Sequence, residues 1–219
     1  MKKIIVLISV ITVFINLSIT SFALSYLDYK DIETEKWYEV GINYVLDKEY
    51  MIGTNKNTFS PQQDITRAQL AQVLYARDGK PSLTEYWNTI DKNKWYSAAI
   101  QYSSDNYWMD YNDASMGYFY ENDTVTREQL AYVLYKYSFT QDKDITIDNS
   151  AYYRLEKENI TSPYERQLAW AITHGILVGT KNGIEPNSDV TRAQLAAVLK
   201  SYDDIGPWID DTENINPIG

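Results

Sequence analysis

The apolar positions follow one pattern three times. In Ile65–Leu74, Ile65 precedes a Thr–Arg pair and is followed by Leu70, Val73 and Leu74. Val125, Leu130, Val133 and Leu134 repeat this, as do Val190, Leu195, Val198 and Leu199. That spacing puts one apolar stripe on a helix and predicts three helices, each with one buried face. Thr66 with Gln69, Thr126 with Gln129, and Thr191 with Gln194 predict capping boxes, in which hydroxyl and amide each satisfy an otherwise unpaired backbone N–H. Ile65 and Leu70 stand at the positions of a hydrophobic staple, and the other copies match.

A second amphipathic segment precedes each of these helices. Trp37, Gly41, Tyr44 and Val45 mark the first, and Trp95, Ala99, Tyr102 and Ser103 the second. Tyr164, Leu168, Ala171 and Ile172 mark the third. Gly53 and Gly179 follow the first and third segments, at turns expected to need a positive φ after a helix end. Tyr111 stands there in the middle copy, whose loop is longer, so that corner is expected to be distorted. The chain therefore reads as mainly α, three tandem helix–loop–helix units. The expected boundaries are 26–79, 86–139 and 159–202, with a polar linker at 140–158 and a polar tail at 203–219.

The first 23 residues have a different pattern. Lys2 and Lys3 precede a largely apolar run from Ile4 to Ile19, and Ser21–Ala23 offers small residues where a signal peptidase reads. This predicts an export signal cleaved after Ala23. The run is short for a membrane span and carries Asn16 and several hydroxyls. The 219 residues hold 20 Lys+Arg against 30 Asp+Glu, a formal charge of −10, which argues against nucleic acid as a partner. There is no cysteine, so neither disulfides nor thiolate metal sites hold the fold. Six Trp and 20 Tyr supply either core packing or platforms for sugar rings.

Three such units with "ITRAQ" (Ile65–Gln69), "VTREQ" (Val125–Gln129) and "VTRAQ" (Val190–Gln194) resemble the S-layer homology (SLH) family. Trp37, Gly53 and "FSP" (Phe59–Pro61) match the family pattern in the first unit, and Gly179 and "IEP" (Ile184–Pro186) in the third. The middle unit keeps Trp95 but lacks the glycine and the proline. The resemblance implies three repeats about a pseudo-threefold axis with a central helical bundle. It also implies a non-catalytic, secreted module on the wall of a Gram-positive-type bacterium, and no cofactor. The implied ligand is secondary cell-wall polysaccharide, commonly pyruvylated, with its carboxylate gripped by Arg67, Arg127 and Arg192 in grooves between repeats. Trp37 and Trp95 occupy the family's tryptophan position, where the third repeat has Pro163. Glutamine replaces the family's glutamate at Gln69, Gln129 and Gln194. Other exported or S-layer proteins are possible partners.

The arginines pose a physical question of their own. Each falls at the first helical position, where the dipole disfavours a cation by about 0.3–1 kcal/mol. Beside a carboxylate, free N–H groups, dipole and guanidinium converge. Alternatively each arginine pairs with a neighbouring acid such as Asp64 or Asp189 and staples the repeats together.

Other chemistry is poorly supported. His174 is the one histidine, placed near a helix end. The string from Asp110 to Glu121 has Ala114 and Ser115 where a calcium loop needs a ligand and a glycine. A glycosidase carboxylate pair is not marked out by context. Two other readings stand beside wall binding: a helical-repeat scaffold for protein partners whose wall binding has decayed, and a small carbohydrate-active enzyme.

Overall fold

A computed structural model describes residues 29–84, 91–109 and 119–207. Its helices are α1 (Glu39–Asp47), α2 (Arg67–Arg77), α3 (Ser97–Asp105), α4 (Arg127–Thr140), α5 (Asn149–Lys157), α6 (Glu165–Thr173) and α7 (Arg192–Asp203). Strand pairing among the described residues is confined to isolated bridges. The signal at 1–23, the Tyr111 corner and most of the tail lie outside the described residues.

The three capping boxes form as the sequence predicts. The Thr66 hydroxyl accepts from Gln69 N–H, and the Gln69 side chain accepts from Thr66 N–H; Thr126–Gln129 and Thr191–Gln194 do the same. The preceding residues are buried and joined by backbone. Ile65 N–H donates to Val190 O (2.9 Å), Val190 N–H to Val125 O (2.9 Å), and Val125 N–H to Ile65 O (3.1 Å). These bonds run in a closed three-membered cycle.

Helix pairing also crosses repeats. α3 packs on α2, α6 on α4, and α1 on α7. Each first helix thus lies against the arginine helix of another repeat, and the α1–α7 contact closes the ring. The buried stripe of α1 is Gly41, Ile42, Val45 and Leu46. This corrects the expected face: Trp37 precedes the helix and is 63% exposed, and Tyr44 is only partly buried. In α6 the buried residues are Leu168 to Ala171, including Trp170.

The first helices end in one shared geometry. Glu49 (φ 56°), Tyr107 (φ 60°) and Gly175 (φ 68°) take the left-handed conformation. The following N–H reaches back five residues: Tyr50 to Val45 O, Trp108 to Ser103 O, Ile176 to Ala171 O. This is a Schellman turn. Gly53 and Gly179 therefore do not end helices as expected; they lie in the loop beyond. Gly53 is needed for close approach, since a β-carbon there would sit 2.2 Å from the Tyr29 ring.

The linker holds a helix that the sequence reading did not assign. Asp148 caps α5, whose Ala151 and Leu155 are buried, and α5 packs on α6. At the far ends of α2, α4 and α7, Arg77 forms an ion pair with Asp203 and donates to Tyr137 Oη (2.7 Å). Tyr137 in turn donates to Asp78.

Candidate functional site

Each arginine is fixed by the loop of another repeat. Arg67 Nε donates to Phe119 O (2.9 Å), Arg127 Nε to Ile184 O (2.8 Å) and Arg192 Nε to Phe59 O (2.7 Å). Arg67 and Arg192 also stack on the rings of Phe119 and Phe59, at 4.6 and 4.5 Å. All three side chains are at least nine-tenths buried. The arginines do staple repeats, through main-chain carbonyls. Asp64 and Asp189 contribute main chain instead, bridging to Thr191 and Thr126.

The helix N-termini do not supply free N–H groups to a ligand, contrary to expectation. Arg67, Arg127 and Arg192 N–H donate to Asp123, Ser188 and Gln63 carbonyls at 2.8–2.9 Å. The next residues, Ala68, Glu128 and Ala193, donate to Glu121, Pro186 and Pro61 carbonyls. With the third donor taken by the threonine cap, the unpaired N–H groups of the first turn are used up inside the protein. What remains for an anion at Arg127 and Arg192 is the part of the guanidinium not bonded to these carbonyls.

Two arginines reach grooves, and each groove is composite. A groove of about 610 Å³ is lined by Arg192, by Ile52, Gly53 and Gln69 of the first repeat, and by Trp95 of the second. A groove of about 480 Å³ is lined by Arg127, by Val178, Gly179 and Gln194 of the third repeat, and by Trp37 of the first. One repeat gives the arginine, a second the glycine loop and capping glutamine, and a third the tryptophan. The counterpart around Arg67 would use the 110–118 stretch, which lies outside the described residues.

The tryptophans are presented rather than packed. Trp37 and Trp95 are 63% and 61% exposed, and each is braced edge-to-face by the next residue, Tyr38 or Tyr96. Trp108 and Trp170 are instead fully buried core. His174 caps α6 and lies 3.0 Å from Thr146 O.

The electrostatics favour an anion. Burial lowers the pKa of Arg127 below its usual value and pushes Arg192 down to about 10. Both remain cationic at neutral pH, but in surroundings that compensate the charge incompletely. Arg127 Nη2 is buried and has no hydrogen-bond partner. Neither groove lining contains an Asp or Glu.

The sequence reading missed the acids behind these arginines. Asp31 accepts from Phe59 and Ser60 N–H at 2.8 and 2.7 Å, fixing the loop whose Phe59 carbonyl holds Arg192. Glu158 does this for Arg127, accepting from Ile184 N–H at 2.8 Å. Both stand upstream of a first helix, but nothing in the local pattern tied them to a loop some 26 residues on. Groups of His, Cys, Asp and Glu able to hold a metal are absent among the described residues.

The S-layer homology domain model matches residues 28–71 and 158–196, the first and third repeats. An S-layer protein of Bacillus licheniformis is 27% identical over 192 residues, which is 80% of this chain and 20% of that protein. The S-layer protein sap of Bacillus anthracis is 26% identical over 195 residues, 80% of this chain and 21% of that protein. An endoglucanase of Bacillus sp. (strain KSM-635) is 22% identical over 174 residues, 79% of this chain and 18% of that protein. The chain thus spans about a fifth of the length of these relatives.

Proposed function

We propose that this chain, which carries S-layer homology domains, is a non-catalytic cell-wall-binding module that takes an anionic polysaccharide, pyruvylated in the leading case, in its composite grooves. The observation that carries this reading is the buried Arg127 guanidinium with an unpartnered Nη2 in a groove flanked by the exposed Trp37. A carboxylate would complete that donor with a charge-assisted hydrogen bond, in which Arg offers a planar fork matched to two oxygens. The indole would cover the apolar face of a neighbouring sugar ring. Arg192 and Trp95 repeat the pairing in the other groove.

The lining argues against hydrolysis. Glycoside cleavage ordinarily needs two carboxyl groups flanking the scissile bond, and neither groove lining offers one. The endoglucanase shares with this chain about a fifth of its length, so its activity does not carry over. No helix among the described residues is long and apolar enough to cross a membrane. The proposed location is the cell wall, reached after export, on the strength of the S-layer homology match.

The test is calorimetric titration with purified pyruvylated wall polysaccharide, comparing the chain from Leu24 with an Arg67→Ala/Arg127→Ala/Arg192→Ala triple variant. Binding by the parent and loss in a still-folded variant support the reading. A parent that does not bind overturns it and favours the protein-scaffold reading.

A further inference from the structure

The two grooves differ in which side chain holds one carbonyl. In the Arg192 groove the guanidinium makes two main-chain bonds: Nε to Phe59 O (2.7 Å) and Nη2 to Ile52 O (2.6 Å). Ile52 precedes Gly53, and its counterpart before Gly179 is Val178. Arg127 makes the first bond, to Ile184 O. The carbonyl of Val178 is occupied by another side chain, since Arg154 Nη2 donates to it at 3.1 Å. Arg127 Nη2 is left buried without a partner.

Arg154 is itself held in place. It stands on α5, and its Nε donates to Glu158 Oε1 (3.0 Å). Glu158 is anchored to Ile184 N–H. The Arg154 guanidinium lies against Gly179, where a β-carbon would come 2.6 Å from its Nη2. α5 stands just before the first helix of the third repeat; before α1 of the first repeat no helix lies among the described residues, which start at 29. In the Arg192 groove the Ile52 carbonyl is instead taken by Arg192 itself.

We propose that Arg154 is a positioning residue that keeps Arg127 unpaired, and that this makes the Arg127 groove the tighter of the two carboxylate sites. The inference rests on the reading that the grooves take an anionic glycan. In the Arg192 groove an arriving carboxylate competes with Ile52 O for Nη2, so one hydrogen bond weakens as another forms. In the Arg127 groove the donor is already desolvated and unsatisfied, and binding proceeds without that exchange. If Arg154 is removed, Val178 O is free to take Arg127 Nη2, and the two grooves become alike.

The experiment reads each groove separately. The chain is labelled with 5-fluorotryptophan, and the Trp37 and Trp95 fluorine resonances are assigned with Trp37→Phe and Trp95→Phe. Titrant is pyruvylated wall-polysaccharide fragment, with the same fragment stripped of its ketal as control. In the parent, the Trp37 resonance is expected to titrate at about tenfold lower concentration than Trp95, the change expected for about one hydrogen bond to a charged group. Arg154→Ala brings the Trp37 midpoint to that of Trp95 and leaves Trp95 unmoved. Arg154→Lys, which keeps a donor for Val178 O, restores most of the difference. Arg154→Met repeats the Ala comparison with the stem packing retained. Equal midpoints in the parent overturn the proposal, as does a midpoint at Trp37 that ignores Arg154→Ala or moves together with Trp95. If neither resonance responds to ketal-bearing fragment, the anionic-glycan reading fails and this inference fails with it.

Discussion

Gly41→Ala tests whether ring closure depends on the close approach of α1 to α7. A β-carbon at Gly41 would lie 2.7 Å from both Cα and N of Ala197 and 2.9 Å from the Ala196 carbonyl carbon. All three are backbone atoms, so no side chain can swing away. Ordinary contact begins near 3.4 Å, so the helices must part. A gap of about 0.5–1 Å forfeits roughly a quarter to a half of the dispersion well for each facing atom. Ile42, Val45 and Leu46 are buried on this face, and each contributes about 1.5–3 kcal/mol by burial. Losing about a quarter of that from three side chains gives about 1–2 kcal/mol, within the usual range for overpacking of about 1–3 kcal/mol. Alanine returns nearly 1 kcal/mol of helix propensity. The expected net loss is up to about 1 kcal/mol for Gly41→Ala and more for Gly41→Val, which keeps the clash and gains less propensity. Urea titration followed by tryptophan fluorescence gives the shift in midpoint at constant slope. A Gly41→Val variant as stable as the parent would refute the argument that this contact is tight.

Three further outcomes are expected. Glu49→Gly should raise stability by up to about 1 kcal/mol, because Glu49 holds a left-handed conformation that glycine adopts without a Cβ clash; Gly175→Ala should do the reverse in α6, both read by thermal melting. Ile184 N–H and Arg154 hold the Glu158 carboxyl below its ordinary pKa. Its contribution to stability is present above the unfolded value of about 4.3 and is lost as pH falls through the lower folded value. Acid unfolding followed by circular dichroism should therefore be less steep in Glu158→Gln. Gln194→Glu keeps the capping box but puts a carboxylate in the Arg127 groove lining. The variant should melt like the parent yet bind anionic fragment several-fold more weakly by calorimetry.

The arginine helices were legible because their signals are local. Cap, box and stripe lie within one short window, and Thr66, Thr126 and Thr191 each form the predicted bonds. The first helices were legible as elements but not in phase. Helical spacing places Trp37 and Trp95 in the stripe, yet each stands before its helix and is exposed. An exposed ring serving a groove leaves the same letter in the sequence as a core ring. Helix endings were misread because Glu49 and Tyr107 take the left-handed turn without glycine. α5 was missed because its apolar signal is two residues, Ala151 and Leu155, in a charged window. The fate of the helix N–H groups was not legible at all, since their acceptors belong to another repeat.

On the proposed function, the composite grooves tie recognition to closure of the ring. A single repeat places its arginine against nothing, because the carbonyl that fixes Nε comes from another repeat. It also lacks the tryptophan that faces that arginine, which belongs to a third. The Ile65–Val190–Val125 cycle holds the arginine ends together, and the α1–α7 contact brings Trp37 to the mouth of the Arg127 groove. This also accounts for burying a cation at the unfavourable end of three helices. The cost is met by carbonyls and, for Arg67 and Arg192, an aromatic ring, all supplied only when the ring is closed.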